Sequence, residues 1–142
     1  MRARVHITTD RTDTDADRVW SMLRATYWSA NIRKDIVERA IANSIVANAI
    51  DQDTGTQVGF ARAVSDRATF AWLCDVVVEP SHQRRGIATA LVRALIDHPD
   101  LQTLRRWCLA TRDAHGVYAP LGFKPVDPDR WMEYKLDPAR WT

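Results

Sequence analysis

The sequence predicts an α/β domain with a central mixed sheet, and three observations predict it. Apolar residues recur at helical spacing up to Asn43 and then at a spacing of two. Val76-Val77-Val78 is an unbroken apolar run, as in a strand covered on both faces. In the second half strands and helices alternate, most clearly in a strand-turn-helix unit around Pro80 to Ala94.

Each element has its own warrant. Arg4 to Thr9 alternates weakly and forms a first strand. Asp13 or Asp15 offers a carboxylate to free amide hydrogens and so caps a helix carrying Val19, Trp20, Leu23 and Tyr27. After a break at Ser29 to Ile32, a second helix runs from Arg33 to Asn43, with Ile36, Val37, Ala40 and Ile41 on one face. "SIVANAID" and "TQVGFARAVSD" are strands flanking "QDTG", which suits a tight hairpin turn. "ATFAWLCDVVVEP" is a third run at this period, stopped by Pro80. Gly86 to Asp97 is helical, with Ile87, Leu91, Val92, Leu95 and Ile96 in one stripe. "LRRWCLAT" is a strand, and "RDAHGVYAPLG" a short helix capped by Asp113 and closed by Gly122. "GFKPV" and "WMEYKL" are expected to finish the sheet as a hairpin.

The 142 residues suit one domain spanning 1–142, without repeat or linker. No run approaches the ~20 apolar residues of a membrane span, so no membrane partner is expected. "MRARVHITTD" lacks the apolar core of a signal peptide. The expected location is cytoplasmic. Cys74 and Cys108 lie inside apolar runs and are expected as reduced thiols, and no metal-ligand spacing occurs, so no metal is expected. The net charge is only +2, and the arginines are scattered among aspartates. That pattern is a solvated surface and argues against a nucleic-acid partner.

The turn "QRRGIA" opens a helix, where the first amides lack intrahelical partners and the helix dipole adds positive charge. Such a site takes phosphate oxygens. Gly86 removes a Cβ where backbone must approach a ligand, Ala88 keeps the next turn small, and Arg84 and Arg85 add charge. Two arginines facing water would look the same on this motif alone.

The surrounding order resembles the GCN5-related N-acetyltransferase (GNAT) superfamily. Its Gln/Arg-x-x-Gly-x-Gly/Ala motif is matched by Gln83-Arg84-Arg85-Gly86-Ile87-Ala88, after the apolar strand "CDVVVEP". Its Tyr-x-x-x-Gly-Phe element is matched by Tyr118 to Phe123. The resemblance implies a mostly antiparallel mixed sheet with one splayed parallel strand pair, flanked by about four helices. It implies acetyl-CoA as donor, its diphosphate on the amides of residues 84 to 89, Thr89 included, and its amide-rich arm along the backbone of Val76, Val77 and Val78. The side chains of those valines read as core. Homodimers are common among relatives.

Acetyl transfer to an amine needs a base for the amine, a donor for the oxyanion and an acid for the thiolate. By position Tyr118 matches the family tyrosine near the leaving sulfur and is assigned as general acid. A backbone amide near Val76 would polarise the thioester. The base is open. Period two places Trp72, Cys74, Val76 and Val78 on one face and Leu73, Asp75, Val77 and Glu79 on the other. Asp75 reaches the cofactor side only if a bulge flips that parity. Otherwise a water relay, His115 or Asp113 serves. The resemblance implies an acceptor site walled by the first two helices and their connection, where Tyr27, Trp28 and Arg33 would face Trp72. Aromatic faces there suit the ammonium of a small-molecule amine, and Arg33 suits an acceptor carboxylate. Many relatives carry a Glu or His on the cofactor-side face of this strand, and the rival reading, a non-catalytic acyl-CoA-binding module, is motivated by its absence from the Trp72-Cys74 face here.

Overall fold

A computed structural model describes residues 4–142. Five strands form one sheet in the order β1-β2-β3-β4-β5. They are β1 (Val5–Thr8), β2 (Ile45–Asp51), β3 (Gln57–Ser65), β4 (Phe70–Val78) and β5 (Arg106–Cys108). The first four are antiparallel neighbours, and β5 runs parallel to β4. The helices are α1 (Ala16–Arg24), α2 (Lys34–Ala42), α3 (Ile87–Ile96) and α4 (His115–Tyr118). The fold is therefore the mixed, mostly antiparallel α/β sheet flanked by helices that the sequence predicts.

The sheet carries one core on each face. Val19, Met22 and Leu23 of α1 and Val37 and Ile41 of α2 pack on Val46 and Phe60, with Val77 alongside. On the opposite face Ile87, Leu91, Val92 and Leu95 of α3 pack on Ala47, Ala49, Ala61, Ala63 and Leu73, with Val76 and Val78 alongside. Small residues in the sheet let α3 lie close. A Cβ added at Gly59 would stand 3.1 Å from Ala49 Cβ and 3.2 Å from Leu91 Cδ1.

Local signals place most boundaries. The Asp15 carboxylate accepts from Arg18 N and starts α1. Gly55, at φ 71°, turns the chain between β2 and β3. Gly122, at φ 104°, closes the short turn after α4. Asp113, however, does not cap α4. The Thr111 hydroxyl accepts from Ala114 N at 3.0 Å, while Asp113 pairs with Arg112 at the surface. Tyr27 lies beyond the end of α1, in the connection to α2.

The C-terminal hairpin does not form. Residues 123–126 and 131–136 make no strand among the described residues. Pro125 and Pro128 remove backbone donors, and Pro128–Arg130 is a 3-10 turn whose Asp129 amide donates to the Asp127 side chain. β5 is also shorter than "LRRWCLAT" suggests, and too short to template a long partner.

Candidate active site

β4 and β5 pair only at Phe70↔Arg106, Ala71↔Trp107 and Trp72↔Cys108. β4 then continues to Val78, six residues past the last pair, with no strand on that side. The parallel pair is splayed, and the edge of β4 from Leu73 onward is open to an extended, amide-bearing ligand.

Within that open stretch the β3–β4 register passes from Phe60↔Val77 to Arg62↔Cys74. Asp75 and Val76 together face Ala61, and Asp75 takes φ 55°. This is a β-bulge, and it corrects the simple alternation. Val76 and Val78 turn to the α3 face with Leu73, while Val77 packs on the α1/α2 face. Asp75 joins Trp72 and Cys74 on the α1/α2 side. A left-handed residue inside the strand is the physical cause, and nothing in the period of two announces it.

The Asp75 carboxylate is held from two sides. Arg62 Nε donates to Oδ2 at 2.6 Å, and Trp28 Nε1 donates to Oδ1 at 3.1 Å. Arg62 Nη1 also donates to the Ser44 hydroxyl. Burial works against the Arg62 charge, but the Asp75 carboxylate beside it outweighs that and keeps the guanidinium above its ordinary pKa. Arg62 is absent from the sequence expectations. Its signal was an arginine inside the apolar strand "VGFARAV", since a buried guanidinium requires a partner.

Trp28 and Tyr27 stack edge to face at 5.1 Å. Arg112, in the connection from β5 to α4, donates its backbone amide to Tyr27 Oη at 3.3 Å, and its guanidinium lies 3.7 Å from the centre of the Tyr27 ring. The α1–α2 connection thus bridges both sides of the splay, touching β4 through Trp28 and the segment after β5 through Tyr27. Trp20 holds the same connection from beneath, its indole donating to Ile32 O at 2.8 Å.

Tyr118 is half-buried against the α3-side core and meets Phe123 edge to face at 5.9 Å. Burial pushes its phenol above the ordinary value, and neighbouring Tyr27 adds to the shift. Trp72 is half-buried, between Val64 on β3 and Cys108 on β5. Arg33 points elsewhere. Its guanidinium pairs with Asp35 and donates to Arg140 O, and its amide donates to Trp141 O. Direct contacts therefore join Tyr27, Trp28 and Asp75, Tyr118 interacts electrostatically with Tyr27, and Arg33 is not among them. His115 and Asp113 are exposed. Burial pushes the Cys74 thiol up to about 12, so it stays protonated.

At the other end of β4, Gln83 Nε2 donates to Val78 O at 3.1 Å and ties the turn to the strand. Arg84 at φ 62° and Gly86 at φ 76° are both left-handed. They curl the backbone so that successive amides face one side. Gly86 is the N-cap of α3 and offers no side-chain cap, leaving the first amides, those of Ile87, Ala88 and Thr89, available. A Cβ at Gly86 would meet no protein atom within 4 Å, so the glycine serves the positive φ and keeps the space beside the turn clear. These residues fit a diphosphate through backbone donors. No group of three or more potential metal ligands occurs among the described residues.

Comparison with known proteins agrees with this geometry. The family model "Acetyltransferase (GNAT) family" matches residues 10–123. A solved Xanthomonas campestris protein, described as an acetyltransferase of the GNAT family, is 44% identical with a TM-score of 0.87, covering 94% of each chain. The chloroplastic GCN5-related N-acetyltransferase 1 of Arabidopsis thaliana is 37% identical over 79 residues, 55% of this chain and 40% of that relative's length. The fold is shared with N-acetylglutamate synthase of Neisseria gonorrhoeae, solved with coenzyme A and L-arginine. That likeness has a TM-score of 0.72 at 19% identity, over 93% of this chain and 30% of the other.

Proposed function

This chain belongs to the GNAT acetyltransferase family, and from that premise we propose that it transfers an acetyl group from acetyl-CoA to the primary amine of a small molecule. The observation that carries the donor is the pairing of an uncapped, glycine-led helix N-terminus with the open edge of β4. Amides of residues 84 to 89 hold the diphosphate, and the Val76–Val78 backbone holds the arm. The structural neighbour solved with coenzyme A supports this choice of ligand.

Transfer is direct. Cys74, protonated and half-buried, is a poor nucleophile, and Cys108 is buried, which favours attack by the amine itself over an acyl-enzyme. A backbone amide near Val76 stabilises the oxyanion. Tyr118, protonated at neutral pH, donates to the leaving thiolate. The Asp75 carboxylate, paired with Arg62 and hydrogen-bonded to Trp28, faces the incoming amine. Both carboxylate oxygens already accept hydrogen bonds, from Arg62 and from Trp28, so water carries the amine proton away. Tyr27 and Trp28 wall the acceptor, with Trp72 behind them. Free thiols at Cys74 and Cys108 suit a reducing, cytoplasmic compartment.

The test is thiol release from acetyl-CoA across a library of small amines and peptides. Turnover of a small amine supports the reading. Acetyl-CoA binding with no turnover of any amine would instead leave the protein as a binding module.

A further inference from the structure

The turn before α3 leaves β4 at Glu79 and enters the helix at Gly86. Its root is tied to β3 and α1. Glu79 N donates to Val58 O at 2.8 Å, and the Glu79 carboxylate accepts from Arg18 Nη2 at 2.8 Å. Its middle is tied to β2. Pro80–His82 is a 3-10 turn, and from it His82 reaches Asp51, the last residue of β2. His82 Nε2 meets Asp51 Oδ2 at 2.9 Å, and His82 Nδ1 meets the Ser81 hydroxyl at 2.8 Å. Both ring nitrogens are engaged, so the ring has one orientation. Asp51 is a firm anchor. Its side chain is only 7% exposed, its Oδ1 accepts from Asp53 N at 2.9 Å, and its backbone sits in the sheet opposite Val5. Above all the bond to His82 holds the Asp51 carboxyl below the usual carboxylate range. Neither residue is among those assigned to donor, acceptor or proton transfer.

We propose that His82 is a positioning residue for the donor, tying the turn to the sheet through Asp51 and so fixing where the amides of residues 84 to 89 stand. The inference rests on reading that turn as the diphosphate cradle. Arg84, two residues after His82, holds a left-handed conformation at φ 62°. A residue other than glycine keeps that conformation only where its surroundings over-determine it. Two contacts on its N-terminal side do so. Gln83 Nε2 donates to Val78 O at 3.1 Å, and His82 is held by Asp51. Losing the imidazole lets the turn relax at Arg84, so its amides no longer converge on one anion and the affinity for phosphate falls. The donor's arm, assigned to the backbone of Val76–Val78 ahead of the turn, does not depend on His82. The effect is therefore confined to ligands that carry the diphosphate.

The test compares coenzyme A, followed by calorimetry, with pantetheine, which lacks the diphosphate and the nucleotide and is followed by ligand-observed NMR. His82→Ala should weaken coenzyme A about tenfold, as for one lost hydrogen bond to a charged group, and leave pantetheine unchanged. His82→Gln should recover most of that loss, because its amide can donate to Asp51 in place of Nε2. Asp51→Asn keeps the shape of the anchor but not its charge, and should weaken coenzyme A with the same selectivity. A His82→Ala variant that binds coenzyme A like the parent overturns the proposal. So does an equal loss for coenzyme A and pantetheine, the mark of a merely structural contact, or a His82→Gln variant no better than His82→Ala. A parent that binds coenzyme A no more tightly than pantetheine overturns the cradle itself, and this inference with it.

Discussion

Asp75 occupies a left-handed conformation in the middle of an apolar strand, and its carboxylate binds Arg62 and Trp28 at once. Removing its charge leaves a guanidinium whose side chain is only 19% exposed without its counter-ion. Asp75→Asn should therefore lower stability by about 3 kcal/mol, read from denaturant unfolding. Asn tolerates the positive φ, so the loss reports the ion pair and not the turn. Tyr118 gives a pH prediction whose sign follows from burial. Its raised pKa favours the neutral phenol, so acid catalysis is intact below that pKa and fades as pH rises through it. The alkaline limb of kcat should lie above the ordinary phenol range. Tyr118→Phe should reduce kcat by about 100-fold and abolish that limb. A variant as fast as the parent refutes the assignment of the acid.

At the scale of elements, the proposed function assigns the donor to the turn before α3 and the acceptor to the α1–α2 connection. Gly86→Val forces a β-branched residue to φ 76° and fills the clear space beside the free amides. It should weaken acetyl-CoA binding at least about tenfold by calorimetry, at a stability cost of about 1–2 kcal/mol. Trp28→Phe keeps an aromatic wall but loses the hydrogen bond to Asp75. The expected outcome is a higher KM for the amine with acetyl-CoA affinity unchanged. Equal effects on both would show that the connection serves the whole fold and not the acceptor. The turn was legible in the sequence because its amide geometry is local, set by Gly86 and the helix that follows. The connection was only partly legible. Tyr27 and Trp28 stood out as aromatics, but their partners Arg112 and Asp75 are 85 and 47 residues away.

Across the whole molecule, α3 is held to the sheet by a floor of small residues, and the same helix begins at the turn proposed to hold the donor. Gly59→Ala brings a methyl within 3.1–3.4 Å of Ala49, Leu91 and Ile87. α3 must then shift, so Tm should fall by a few degrees, about 1–2 kcal/mol, and acetyl-CoA affinity should fall with it. Unchanged affinity in a destabilised variant would mean that the turn is set independently of the sheet. By itself the sequence determined the two-faced sheet, the helix stripes and the glycine-led turn before α3. Each follows from hydrophobic period or from a short motif whose geometry is local. Only the tertiary structure decided which face Asp75 occupies, since one bulge reverses the parity of everything after it. It also decided that Arg33 serves the C-terminal residues, and that residues 131–136 lie outside the sheet. Those outcomes depend on contacts between distant segments, and a period read along one strand carries no information about them.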